Sequence, residues 1–223
     1  MRKLFALTAG TGWALWTLMA SGGAALAHPH VWIDARLEAV FNEEQRMTEL
    51  RVSWRFDEFY SLFAIEGLDK NGDSVLDAAE LQPLAELNVT SLEEYRYFTQ
   101  ISVDGAAAAY GPVTDYGSRY EEGILSLNFV IPLATPVDPR GARISIKSYD
   151  PSFYIAIEPP LQEPVVFDGS PPPQCRVVEE AGESSETLTL SEADFLDPNA
   201  NEGLGALYAT EFSILCDGAQ ATQ

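Results

Sequence analysis

From Val31 to Phe41 the chain alternates without interruption. Val31, Ile33, Ala35, Leu37, Ala39 and Phe41 fall on one side; His28, His30, Trp32, Asp34, Arg36 and Glu38 fall on the other. Successive side chains of a strand point to opposite faces, so period two over this length means a strand with one face buried. A second alternating run follows the turn at Asn42–Arg46, with Leu50, Val52, Trp54 and Phe56 inward and Glu49, Arg51, Ser53, Arg55 and Asp57 outward. Antiparallel pairing of the two sets Asp34 near Arg55 or Ser53, and His30 near Asp57 or Phe59.

Further short runs read as strands: 99–103 before Asp104-Gly105, 123–133 with Leu125, Leu127, Phe129, Ile131 and Leu133 inward, then 142–148, 153–158, 165–167 and 176–178. Asp-Gly, Pro and Asn turn signals separate them, which predicts a mainly β fold, an antiparallel sandwich. Pro132 marks an edge or a bulge. The exception lies at about 56–98. There Phe59, Leu62, Phe63 and Leu68 share a helical face, and Leu81, Leu84, Ala85 and Leu87 follow at helical spacing, with Pro83 in the first turns of the second helix. The expectation is a single β-rich domain over 28–223 carrying an inserted helix–loop–helix. The acidic stretch 181–205 is expected to be a mobile excursion, with a short helix capped by Ser191.

Arg2 and Lys3 precede an apolar run from Leu4 to Ala20, and Ala25-Leu26-Ala27 forms a small-residue cleavage site. This is the pattern of a secretory signal peptide, 1–27, removed after Ala27. The rival is an uncleaved anchor, since the run is long enough to span a bilayer; Gly10, Gly12, Gly22 and Gly23 favour removal. No later segment is apolar enough to cross. The whole chain carries a net charge of −21, and without Arg2 and Lys3 it becomes more acidic still. Such a field excludes nucleic acid as a partner and attracts cations. Cys175 and Cys216 are the two cysteines. An even count in an exported chain reads as a structural disulfide, and no CxxC motif is present.

Inside the helical insertion, residues 69–80 read Asp-Lys-Asn-Gly-Asp-Ser-Val-Leu-Asp-Ala-Ala-Glu. Oxygen-bearing side chains fall at loop positions 1, 3, 5, 9 and 12, namely Asp69, Asn71, Asp73, Asp77 and Glu80, and Val75 at position 7 offers its carbonyl. This is the ligand order of an EF-hand calcium loop closed by a bidentate Glu80. Position 6, where the loop needs a sharp-turn Gly, is Ser74, which must then adopt φ > 0 at some cost. The alternative is an acidic turn before a helix, with Asp77 as its N-cap. No second loop is present to pair with this one.

Cleavage after Ala27 frees His28-Pro29-His30, and these are the only two histidines. The α-amine, both imidazoles and a carboxylate, Asp57 or Asp34, make a candidate site for zinc, nickel or copper. Pro29 has no N–H to lose, which blocks the square-planar mode built on deprotonated backbone amides. The alternative is a solvated terminus whose histidines bind nothing.

Taken in order, His28-Pro29-His30-Val31-Trp32, the Asp69–Glu80 loop, Tyr97-Phe98-Thr99, Pro112-Val113-Thr114-Asp115, the run Tyr149-Asp150-Pro151-Ser152-Phe153-Tyr154 and the late cysteines resemble a family of exported bacterial proteins known as a domain of unknown function. Its members are often described as the periplasmic component of an uncharacterised ABC-type transport system. The resemblance covers essentially the mature chain. It implies a metal-handling accessory role beside nickel, cobalt or zinc transport, with an inner-membrane metal transporter as partner. Ser74, where the family's loop commonly has Gly, is a departure that bears on calcium affinity.

The leading expectation is therefore a periplasmic metal-handling or transport-accessory protein with calcium bracing the helical insertion, and not an enzyme. A non-catalytic interaction module stiffened by calcium is the second reading. A copper-dependent oxidase using a terminal-histidine brace is the third, and a Pro-linked pair strains to supply its T-shaped geometry. A Ser/His/Asp or Cys/His set is ruled out, because both histidines are terminal and the cysteines pair. A conventional solute-binding protein needs two α/β lobes, which this β-rich pattern lacks.

Overall fold

The computed structural model describes residues 29–152, 154–182 and 204–216. The leader, His28 and the bulk of the acidic stretch, including Ser191, lie outside the described residues. The hairpin forms as the alternation requires: β1 (Val31–Phe41) and β2 (Met47–Phe56) pair antiparallel with Asp34 opposite Arg55. Every apolar residue assigned inward on the two strands is buried.

Two short helices follow, α1 (Glu58–Ala64) and α2 (Ala78–Leu92), then a 3-10 turn over Glu93–Phe98. The remaining strands are β3 (Thr99–Val103), β4 (Ala106–Ala107), β5 (Tyr116–Glu121), β6 (Ile124–Val137), β7 (Ile144–Ser148), β8 (Ile155–Glu158), β9 (Val165–Gly169), β10 (Cys175–Glu180) and β11 (Glu211–Cys216), the last preceded by α3 (Leu204–Tyr208). One sheet runs β5-β6-β2-β1-β8, with β9 also on β1; the second runs β10-β11-β7-β3-β4. A single apolar cluster draws on both sheets and on α2, joining Leu37, Trp54, Leu81, Phe129, Ile146 and Ile214. Burying a side chain of this size contributes roughly 1.5–3 kcal/mol.

The architecture differs from the expected antiparallel sandwich in one respect. β8 and β9 both pair parallel to β1, end to end along its free edge. The chain reaches this edge from β7 in the other sheet, so no hairpin constrains its direction. Arg51 on β2 ties β9 down, contacting Asp168 at 2.8 Å, Glu38 at 3.2 Å and Glu49 at 3.2 Å. Gly169 closes the same edge at φ +76°, where a β-carbon would overlap the Phe41 carbonyl. β5 has no aliphatic inward face, because its inward residues are Tyr116, Ser118 and Tyr120, and apolar alternation therefore does not reveal it.

α1 buries another face than the sequence pattern predicts, whereas α2 buries most of the predicted one. On α1, Phe59, Leu62 and Phe63 are 84%, 55% and 72% exposed, and Ser61 is the buried residue. Its hydroxyl donates to the Asp57 carbonyl at 2.7 Å and accepts from the Leu125 N–H at 2.9 Å, which docks α1 on β6 through a polar contact. On α2 the buried residues are Leu81, Ala85 and Val89, while Leu87 is exposed. Pro83 lies inside α2, beyond its first turn, where it supplies no N–H to the helical ladder.

Cys175 and Cys216 face each other across β10 and β11 and form the expected disulfide, with Cα atoms 4.0 Å apart. A bond of this kind is consistent with an extracellular or periplasmic protein. Among the described residues, no helix is long and apolar enough to cross a membrane.

Candidate functional site

The loop between α1 and α2 winds around its own side chains. Asp69 accepts from the Gly72 N–H at 2.7 Å through Oδ1 and from the Ser74 N–H at 3.0 Å through Oδ2. Asn71 Oδ1 accepts from Asp73 N–H and Asp73 Oδ1 from Val75 N–H, each at 2.8 Å. Positions 1, 3 and 5 thus turn their oxygens toward the loop's own amides. Gly72 and Ser74 both take left-handed backbone, at φ +76° and +65°. Ser74 has the conformation that the sixth position of a calcium loop demands, at a cost of about 1 kcal/mol for a residue with a β-carbon.

The end of the loop also has the features of the alternative reading. Asp77 is the N-cap of α2, its Oδ1 accepting from Ala79 and Glu80 N–H at 2.8 and 2.9 Å. Glu80 completes a capping box. Its Oε1 accepts from Lys70 and Asn71 N–H at 2.8 and 3.2 Å, and its Oε2 from Asp77 N–H at 3.3 Å. Lys70 turns away, donating to the Gly67 carbonyl at 2.6 Å. Among the described residues, no three His, Cys, Asp or Glu side chains converge as a metal cage. The donor set nonetheless suits calcium. All its side chains offer hard oxygens, Asp73 Oδ2 and Asp77 Oδ2 stand outside these bonds, and the Asp69, Asn71 and Asp73 oxygens engaged here each accept one N–H and keep a second lone pair. Glu80 would have to trade its amide partners for the ion.

The proposed transition-metal residues are only partly described. His28 lies outside the described residues. His30 is exposed at the start of β1, its N–H donating to the Tyr154 carbonyl at 2.9 Å and its ring 4.8 Å from the Tyr154 ring. Asp57 does come to this end of the hairpin, and there it works on the backbone. Its Oδ1 caps α1 by accepting from Tyr60 N–H at 2.8 Å, and its Oδ2 accepts from Trp32 N–H at 3.0 Å. Burial, then the Asp57 charge, pushes the Tyr60 phenol up.

Two local features lie beyond the reach of sequence patterning. Arg96, Tyr97 and Phe98 take successive left-handed conformations at φ +54°, +58° and +46°. The Arg96 guanidinium holds that turn by donating to the Ala108 carbonyl at 2.8 Å and stacking over Tyr110, 4.2 Å from its centroid. Asp150 is buried and accepts from Ser152 N–H, Ser152 Oγ and Ile155 N–H at 2.9, 2.8 and 3.0 Å, which shapes the entry to β8. These contacts fall within 149–155, which overlaps one of the stretches on which the resemblance rests.

A family model described as "Protein of unknown function (DUF1007)" matches residues 13–216. The chain is also similar to an uncharacterized protein of Haemophilus influenzae, 25% identical over 195 residues, covering 86% of this chain and 92% of that one.

Proposed function

The chain belongs to this family of unknown function, and we propose that it is an exported, periplasmic metal-handling accessory whose Asp69–Glu80 loop binds calcium. The observation that carries this reading is Ser74 at φ +65°, a strained turn at the loop position where a calcium loop needs it, beside oxygens at positions 1, 3 and 5 that all face inward. Calcium would link α1 to α2 through Asp69, Asn71, Asp73, the Val75 carbonyl, Asp77 and Glu80, and brace the loop that joins them. A zinc, nickel or copper ion at His28 and His30 of the cleaved terminus, with Asp57 or Asp34, is the second element of the same reading. An inner-membrane metal transporter is the partner it implies.

The exposed Phe59, Leu62 and Phe63 favour a second reading, in which the calcium-braced unit is a non-catalytic module offering this face to a membrane protein. Titration calorimetry of the protein beginning at His28, stripped with chelator and then given calcium, tests the common premise. Saturable heat at one ion per chain is expected, with a dissociation constant of about 10⁻⁵–10⁻³ M. No calcium heat at millimolar ion would reduce the loop to a capped turn.

A further inference from the structure

The outer face of the first sheet carries an ordered row of charges. Cross-strand register lines up Asp34, Arg55, Ser126 and Arg119 from β1, β2, β6 and β5. The adjacent row is Arg36, Ser53, Asn128 and Gly117. Arg55 and Arg119 therefore flank Ser126 with Cα atoms two strand spacings apart, roughly 10 Å. Both border a hollow of about 730 Å³ that Ser53, Ser126, Asn128, Glu121 and Glu122 also line.

Four of the nine described arginines are held by acids: Arg36 by Glu163, Arg51 by three acids, Arg140 by Asp138, Arg143 by Glu180 and Glu211. Arg55 and Arg119 are exposed and form no ion pair among the described residues, although Asp34 stands directly opposite Arg55. Two guanidinium forks left open over one serine suit an oxyanion, which each can grip bidentately. The opposite charge lies close by. Glu121 follows Arg119 by two residues on the same face, roughly 7 Å along the strand, and Glu122 sits in the turn to β6. Ser126 stands between the two arginines, and Ser53 and Asn128 form the next row, on the side away from Glu121.

We propose that this hollow binds a small zwitterion of peptide length, its carboxylate on Arg55 and Arg119 and its ammonium on Glu121 and Glu122. The separation of the two ends exceeds the reach of a single α-amino acid and fits two or three residues, at roughly 3.5 Å each. The paired glutamates disfavour a compact polyanion in the same place.

Isothermal titration of the mature protein with triglycine tests this, with triglycine amide and inorganic phosphate as competing probes. Saturable triglycine binding is expected, and Arg55→Gln or Arg119→Gln should each weaken it at least about tenfold through loss of a charge-assisted contact. Ser126→Asp gives both arginines an internal partner and should abolish binding while the melting midpoint holds or rises. Chelating calcium should leave the titration unchanged, which separates this site from the loop. Absence of saturable triglycine binding, phosphate or the amide binding as tightly as triglycine, or indifference to both arginine changes in folded variants would overturn the proposal.

Discussion

Replacing Glu80 by Gln separates the two roles this side chain can play. Without calcium, the amide oxygen keeps the bonds from Lys70 and Asn71 N–H, and only the 3.3 Å bond from Asp77 N–H is forfeited. The cost to the fold should be about 0.5–1 kcal/mol, as for a weakened helix cap. With calcium the loss is larger, because a neutral amide cannot offer two anionic oxygens to the ion. For a dissociation constant of about 10⁻⁴ M, 10 mM calcium stabilises the wild-type fold by about 2.7 kcal/mol. A tenfold weaker variant gains about 1.4 kcal/mol at the same concentration. In a domain of this size each kcal/mol moves the midpoint by about 2–4 °C. Melting each protein in 10 mM calcium and in chelator should therefore show rises of about 5–11 °C for wild type and about 3–6 °C for the variant. Equal rises in the two proteins would refute the assignment of Glu80 as a calcium ligand.

Other expectations follow from single contacts. Cys175→Ser with Cys216→Ser should cost about 4 kcal/mol by the loop-closure estimate, read by denaturant melts, and alkylation without reductant should label neither wild-type thiol. Asp150→Ala leaves three donors without their acceptor and should cost about 2–4 kcal/mol; a midpoint near wild type would dismiss its role in setting β8. Zinc or nickel should bind only once His28 is the free terminus and vanish in a His28→Ala/His30→Ala double variant, both readable by calorimetry. The Gly169 amide, then Arg51, hold the Asp168 carboxyl below its ordinary value. That stabilisation is complete above the unfolded carboxylate's value and is lost as pH falls through the lower folded value, so midpoints should drop below about pH 4. Asp168→Asn should flatten that acid limb.

Some of this architecture is written in short stretches of chain. The period-two runs at 31–41 and 50–56 determine the β1–β2 hairpin, because a strand's side-chain alternation is a property of its backbone and one slip would expose every apolar residue. The oxygen spacing from Asp69 to Glu80 likewise determines where the loop turns, and the demand on Ser74 for positive φ follows from that spacing alone. Tertiary structure decided the rest. Phe59, Leu62 and Phe63 have helical spacing whichever side of α1 meets a partner, and the contact that fixes the choice is a hydroxyl on Ser61 reaching Leu125, 64 residues away. The parallel course of β8 and β9 depends on the chain returning from the other sheet, where no local turn signal acts. Arg55 and Arg119 become neighbours only because β6 lies between their strands. Local periodicity reports which residues share a face; which face is covered, and by what, is set by contacts distant in sequence that leave no local trace.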